Sequence, residues 1–178
     1  MKKSLITLFF LACFAISFAQ QNDVANIRNE YNKLKAQISG LKDAGYAGEL
    51  YCLHIEDNVF GKSYPGSGDY NTDRWYYYTF DDDEGNVQLK MVVEIYKIAE
   101  NTIYSEFMYI DEAVAFVFSK NSYEENIEKR LYCKGEEVIK YTENGVEKQY
   151  DDAEESIVEI LRGNYNVSSI FYNIMNRD

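Results

Sequence analysis

The chain is poor in the residues from which catalytic sites are usually built. Its 178 residues include one histidine, one tryptophan, one proline and three cysteines. The histidine, His54, follows Cys52 by two residues, but the sequence offers no third residue that would orient the imidazole. No catalytic signature is present. The sequence therefore predicts a protein that is not an enzyme and that needs no cofactor.

Basic residues are scarce and scattered along the chain. There are 18 lysines and arginines against 30 aspartates and glutamates, which gives a net charge of −12. A surface of this sign repels the phosphates of nucleic acids and of anionic lipids. Nucleic acid is therefore excluded as the expected partner.

A long apolar run occurs at the N-terminus alone. It extends from Leu5 to Phe18, after two lysines and before Ala19. This pattern is typical of a secretory signal peptide. We expect residues 1–19 to be removed and residues 20–178 to form one extracytoplasmic domain, whose net charge falls to −14 with the loss of the two lysines.

Two kinds of membrane attachment are disfavoured. The apolar run is too short to span a bilayer of about 30 Å comfortably, so we expect no stable membrane insertion after cleavage. A lipid anchor on Cys13 would need a lipobox, and Phe10 stands where that motif has a branched aliphatic residue. The sequence therefore predicts a protein free in the periplasm or secreted.

Two cysteines, Cys52 and Cys133, remain after cleavage. An even count in an exported protein favours a disulfide. The alternation of neighbouring residues, however, gives the two side chains different orientations relative to the core, and disulfide geometry tolerates no such divergence. A disulfide and two buried free thiols both remain open.

Periodicity predicts a helix first and then strands. Apolar residues fall every three or four positions from Asp23 to Leu41, which is typical of an amphipathic helix capped by Asn22 or Asp23. Eight segments with strand patterns follow: "ELYCLHIED", "RWYYYTF", "NVQLKMVVEIYKI", "NTIYSEFMYI", "AVAFVFSK", "IEKRLYCK", "EEVIKYT" and "VEKQYD". One long loop, Asn58 to Asp73, separates the first two.

Local details add to this pattern. Alternating apolar residues from Val87 to Ile95 predict one buried face for the third strand, and "AVAFVFSK" is apolar on both faces, as expected inside a sheet. Asn144-Gly145 predicts a tight hairpin. The last segment begins with a capping-box pattern at Asp152 and Glu155 and continues as one bent helix or two short ones.

The expected fold class is α+β. An N-terminal helix and a C-terminal helical segment would pack with an antiparallel meander of about seven or eight strands. The chain resembles secreted proteins of the Bacteroidota in its "KKSL…FAQ" start, its "IRNEYNKLKAQI" helix and hairpins such as "SEFMYIDEAVAFVFSK". That resemblance implies a similar helix-plus-meander fold and an extracytoplasmic location.

The sequence contains two candidate metal sites, and at each of them a purely structural role is favoured over metal binding. "DDDEGN", Asp81 to Asn86, does not match an EF-hand loop and is expected to be a solvated hairpin turn. His54 with Cys52, and with Cys133 or Glu56, could hold zinc or form a nucleophilic pair. Side chains two residues apart on a strand lie about 6 to 7 Å apart, which favours an ordinary sheet histidine. The sequence thus predicts no metal.

The stretch "RWYYYTF" supplies the candidate binding surface. Strand alternation puts Trp75 and Tyr77 on one face and Arg74, Tyr76 and Tyr78 on the other. The tryptophan has the largest apolar area, so we expect its face to be buried. Arg74, Tyr76 and Tyr78 are then the predicted ligand-binding residues.

The predicted function is an exported, non-enzymatic domain that binds a protein or another macromolecule in the periplasm or at the cell surface. The first alternative is a carbohydrate-binding module that uses an aromatic sheet face, because tyrosine and tryptophan rings stack on sugars. The second is a small metal-dependent or Cys/His enzyme centred on His54.

Overall fold

The computed structural model describes residues 2–41, 43, 47–66, 68–81, 85–122 and 126–176, with the backbone alone for residues 2–19. An N-terminal helix, eight strands and a C-terminal helix follow one another along the chain. They are α1 (Lys2–Gly40), β1 (Tyr51–Asp57), β2 (Tyr70–Phe80), β3 (Val87–Ile98), β4 (Asn101–Ile110), β5 (Ala113–Asn121), β6 (Ile127–Lys134), β7 (Glu137–Glu143), β8 (Val146–Glu147) and α2 (Tyr150–Met175). The predicted α+β class is confirmed.

The strands form one antiparallel sheet in which spatial order equals chain order, from β1 to β8. Apart from the loop between β1 and β2, short turns connect neighbouring strands such as β3 with β4 and β7 with β8. At the turn between β7 and β8, Asn144 has φ 47° and Gly145 has φ 79°, the left-handed values that a two-residue hairpin requires. The predicted meander and this hairpin are confirmed, although β8 has only two residues.

The helices cover opposite faces of the sheet, which we name the α1 face and the α2 face. Ile157, Val167 and Phe171 of α2 belong to one buried cluster, and Val24 and Ile27 of α1 belong to the other. β5 lies between β4 and β6 and is largely buried on both sides, as its apolar pattern predicts. The protein therefore has two cores separated by the sheet.

Both helices begin elsewhere than predicted. α1 runs without interruption through Asn22 and Asp23, so the predicted cap there is wrong, because the residues before it continue the helix. α2 is one continuous helix capped at Gln149, which makes no side-chain capping bond. Asp152 lies inside the first turn, where its charge suits the helix dipole. The predicted capping box of Asp152 and Glu155 is therefore wrong.

A β-bulge overturns the predicted single buried face of β3. Tyr77 pairs with Met91 and Tyr78 with Leu89, so Lys90 is an extra residue on β3. The strand changes face there: Leu89 belongs to the α2-face core and Met91 to the α1-face core. One extra residue reverses the alternation of all that follow it.

The loop after β1 ends earlier than predicted. β2 begins at Tyr70, so Asp73 is a strand residue rather than the last residue of a loop. Inside the loop, the Asn58 side chain donates to the Lys62 carbonyl at 2.8 Å and accepts from its amide at 3.0 Å, which closes the first turn. The earlier start of β2 places a carboxylate on the sheet.

Among the residues described, no helix is both long enough and apolar enough to cross a membrane.

Candidate functional site

The predicted binding residues lie on the α2 face, where the helix covers part of them. Tyr76 is 0% exposed, and its ring stacks on Phe171 of α2 with 5.5 Å between centroids. Burial raises the pKa of Tyr76 to about 12. The prediction that Tyr76 is exposed is wrong, because alternation separates two sets of residues but does not say which set α2 covers.

The other two predicted residues are already engaged within the protein. The Arg74 guanidinium donates to the Glu94 carboxylate on the neighbouring strand, and both side chains are largely buried. Tyr78 is half-buried, with its ring 5.3 Å from Phe171. Trp75 was expected to be buried and is half-buried instead. The face that was predicted to bind a ligand is thus largely a packing face.

The α2 face does leave aromatic surface open where β1 meets β2. Tyr51, Tyr78 and Phe80 form a group of rings that we name the aromatic edge. The centroids lie 5.6 Å apart for Tyr51 and Tyr78 and 5.0 Å apart for Tyr51 and Phe80. Tyr51 is 50% exposed and Phe80 is 42% exposed. Two large rings are therefore available to a partner.

β1 is also the first strand of the sheet. Its outer side pairs with no other strand in the part of the chain that the structure describes. An edge strand of this kind presents backbone amides and carbonyls to whatever approaches. The carboxylates of Glu49 and Asp57 lie just before β1 and at its end.

A second group of side chains lies on the α1 face of the same two strands. The pairing sets His54 opposite Trp75 and Glu56 opposite Asp73. The His54 Nε2 atom lies 3.7 Å from Glu56 Oε1 and 3.6 Å from Asp73 Oδ1. We name His54, Glu56 and Asp73 the His54 cluster, since one donor atom from each lies within 4.8 Å of the others.

The sequence supplied only part of this cluster. Glu56 was a candidate partner of His54, but Asp73 is 17 positions further along the chain than Glu56 and was assigned to a loop. Pairing the "HIED" segment with the residues before Trp75 in an antiparallel register would have found it. Strand pairing rather than spacing brings the three together.

The two cysteines are free thiols and lie far apart in the sheet. Cys133 is buried on the α2 side, and burial raises its pKa to about 11. Cys52 is exposed on the opposite face, on β1, which four strands separate from β6, so the alternative of buried free thiols holds for Cys133 alone. The disulfide alternative is wrong, and Cys133 is no partner of His54.

Cys52 is not activated as a nucleophile. Partial burial of its sulfur raises the pKa of the thiol, and this outweighs a hydrogen bond with Tyr77 that lowers it. A thiol with a raised pKa stays protonated at neutral pH, whereas catalysis needs the thiolate. The raised pKa of Cys52 therefore gives no support to a Cys52–His54 pair.

A third group of charges lies beneath α1. Glu106 of β4 is 2% exposed and accepts hydrogen bonds from the hydroxyls of Tyr31 and Tyr104. Lys35 of α1 donates to the same carboxylate at 2.6 Å. Burial, and then Glu106, raises the pKa of both tyrosines. Three donors satisfy this carboxylate, so it ties α1 to the sheet.

A further concave feature is a cavity of about 870 Å³ beside the C-terminal end of α1. Its lining includes Leu34, Leu41, Glu49, Lys90 and Met108. Residues 42 and 44–46 lie outside the described residues, as do Asp82, Asp83 and Glu84 of the "DDDEGN" turn. We assign no function to this cavity.

No family model matches the chain, and neither a curated protein nor a solved structure matches it.

Proposed function

We propose that the protein is an exported, non-enzymatic binding domain that takes an extended segment of another protein along β1, beside the aromatic edge. The observation that carries this proposal is the coincidence of an unpaired edge strand with two exposed aromatic rings, Tyr51 and Phe80. Extended peptides bind sheet edges by adding a strand, and pockets beside the edge select their side chains.

The shape of the aromatic edge favours protein side chains over sugars. The planes of Tyr51 and Phe80 cross at 80°, and those of Tyr78 and Phe80 cross at 79°. Sugar rings stack on open, flat aromatic faces. Rings that meet edge to face form a notched apolar surface instead, which suits an aliphatic or aromatic side chain.

The charge of the domain defines the partner further. After loss of residues 1–19 the net charge is −14, and Glu49 and Asp57 lie at the two ends of β1. Like charges keep two copies of this edge apart, as edge strands usually require. A segment with lysine or arginine beside an apolar residue complements the edge, so we expect a basic partner.

Export is part of the same proposal. The signal-peptide pattern ends at Ala19, and the next residue already contacts the sheet, because the Gln20 side-chain amide donates to the Ile139 carbonyl. Cleavage after Ala19 would keep that contact. The intact mass of the protein recovered from its host should correspond to a chain that begins at Gln20; a lipid adduct on Cys13 would contradict it.

The binding proposal is tested with a displayed library of random peptides. We expect the selected peptides to combine basic and apolar residues and to lose binding to a Tyr51→Ser/Phe80→Ser variant. The matched control is Tyr150→Ser/Tyr165→Ser, which removes two exposed tyrosines from α2 and should bind as the wild type does. N-methylation of alternate peptide bonds in a selected peptide should abolish its binding, because the methylated nitrogens cannot donate the hydrogen bonds that would pair the peptide with β1.

Two outcomes would overturn the proposal. If a selected peptide still binds after N-methylation at every position of its backbone, then the protein holds it by side chains alone and not by strand pairing. Selection of no peptide, together with glycan binding that the Tyr51→Ser/Phe80→Ser variant loses, would make the domain a carbohydrate-binding module.

A further inference from the structure

The His54 cluster has a geometry that its own hydrogen bonds do not explain. His54 Nε2 is 3.6 Å from one carboxylate oxygen and 3.7 Å from another. An N–H···O hydrogen bond measures about 2.7 to 3.2 Å, so neither contact is a direct hydrogen bond. The three side chains therefore lie close together, but His54 makes no direct hydrogen bond to either carboxylate.

These separations suit a bound ion. Zinc takes imidazole nitrogen and carboxylate oxygen at about 2.0 to 2.2 Å, and tetrahedral geometry then sets neighbouring donors about 3.3 to 3.6 Å apart. The observed separations of 3.6 and 3.7 Å lie at or just beyond the upper end of that range. These two separations are compatible with an ion bound between His54 and either carboxylate, and one donor atom from each of the three residues lies within 4.8 Å of the others.

Trp75 holds the imidazole in place. Its ring stacks on that of His54 with 4.6 Å between centroids and 7° between planes. A stacked ring restricts rotation of the imidazole, so less entropy is lost when the nitrogen binds an ion.

The geometry points to a divalent transition-metal site formed by His54, Glu56 and Asp73. Two carboxylates balance the charge of a divalent ion, and the imidazole favours zinc and its neighbours over calcium or magnesium. Three protein ligands leave one position for water. This inference is independent of peptide binding at β1, since it concerns the opposite face of the two strands.

A metal-free explanation makes a different prediction. A protonated His54 would lie between two carboxylates and be attracted to both without any ion. That arrangement requires the imidazolium and is screened by salt, because the groups are partly exposed. A charge cluster of this kind would show no preference among divalent cations.

Trp75 is the only tryptophan of the chain, and its ring stacks on His54, which is one of the proposed metal ligands. Its fluorescence therefore reports directly on metal binding. Purified protein freed of metal with a chelator is titrated with zinc chloride, and tryptophan fluorescence and heat are recorded together. We expect saturable binding of one zinc with a change in fluorescence, and at least tenfold weaker binding of calcium and magnesium. His54→Gln and Asp73→Asn should each weaken zinc binding by at least about tenfold.

Two control variants isolate the ligands. Cys52→Ser removes a nearby thiol that also has affinity for zinc and should leave binding unchanged. Asp111→Asn/Glu112→Gln removes two exposed acids from the turn between β4 and β5 and should have no effect. Circular dichroism of His54→Gln and Asp73→Asn should match that of the wild type, so that lost binding is not lost folding.

Several results would overturn the inference. They are zinc binding that persists in both His54→Gln and Asp73→Asn, zinc binding that Cys52→Ser abolishes, equal affinity for zinc and calcium, and no saturable zinc binding by the wild type. The last two results would leave His54 as the centre of an ordinary charge cluster.

Discussion

One buried carboxylate and one pair of more open carboxylates lie on the α1 face of the sheet and have opposite environments. Glu106 lies beneath α1 and accepts hydrogen bonds from Tyr31, Tyr104 and Lys35. Glu56 and Asp73 lie on β1 and β2, whereas α1 packs chiefly against β5, β6 and β7. The covered carboxylate has all the partners that it needs, and the open ones converge on a single histidine.

One face of the sheet thus serves two purposes. A buried charge is stable only when donors satisfy it, so Glu106 is committed to holding α1 on the sheet. Exposed carboxylates are satisfied by water and remain free to exchange it for an ion or a partner. The position of the helix, rather than the chemistry of the residues, therefore determines which carboxylates can take part in binding.

The largest effect should come from the covered part of the sheet. Phe171 is 0% exposed and contacts both Tyr76 and Tyr78. Phe171→Ala leaves a cavity between α2 and β2, and we expect a loss of about 3 to 5 kcal/mol in the free energy of unfolding, measured by urea melts. Tyr51→Ala at the open edge should cost about 0.5 kcal/mol or less. Similar losses in both variants would mean that α2 covers the aromatic edge as well.

Removal of the buried carboxylate should have the next largest effect. Glu106→Ala leaves the hydroxyls of Tyr31 and Tyr104 without their acceptor and Lys35 without its partner, and we expect a loss of about 1 to 3 kcal/mol. Glu30→Ala removes an exposed carboxylate that pairs with Lys33 on the same helix and should change stability by about 0.5 kcal/mol or less. Equal urea midpoints for the two variants would show that Glu106 does not hold α1.

The meander was predictable because its signals are local. Alternation marks each strand, and Asn144-Gly145 has the left-handed backbone that its turn needs. The faces were not predictable. Alternation separates Trp75 from Tyr76 but does not say which of them meets a helix, and nothing in "QLKMV" marks Lys90 as the extra residue of a bulge.

The candidate sites depend on pairing between distant segments, which single-sequence patterns do not contain. His54 and Glu56 were visible as neighbours on one strand, but Asp73 joins them only through the register of β1 with β2. Glu106 lies in the segment "NTIYSEFMYI", and its partners Tyr31 and Lys35 come from a helix about 70 residues earlier. Both clusters therefore required tertiary structure.

The dependence of stability on alkaline pH should change when Tyr104, one of the tyrosines that donate to Glu106, is replaced. Burial and Glu106 raise the pKa of Tyr104 in the folded state above the unfolded value of about 10. The stability that this shift contributes is fully present below about pH 10 and is lost as the pH rises above it. Tyr104→Phe cannot ionise, so its stability should fall less steeply above about pH 10, by at most about 1.4 kcal/mol per pH unit. Urea melts from about pH 8 to about pH 11 measure the difference in slope; parallel curves for wild type and variant would contradict it.

The smallest effect is expected in the open part of the sheet, and it is the most informative about the comparison. Asp73→Asn keeps the shape of a side chain that is 24% exposed and removes a charge that makes no direct hydrogen bond to His54. In metal-free protein we expect a change in the free energy of unfolding of about 0.5 kcal/mol or less, as for most surface positions. Glu56→Gln should behave in the same way, because its carboxylate is exposed as well. Urea melts in the presence of a chelator measure the change in the free energy of unfolding for both variants. Glu106→Ala, melted under the same conditions, is the reference for a large loss of stability. If either substitution in the His54 cluster costs as much as Glu106→Ala, then those carboxylates hold β1 to β2, and the distinction between a structural and an open carboxylate on this face is lost.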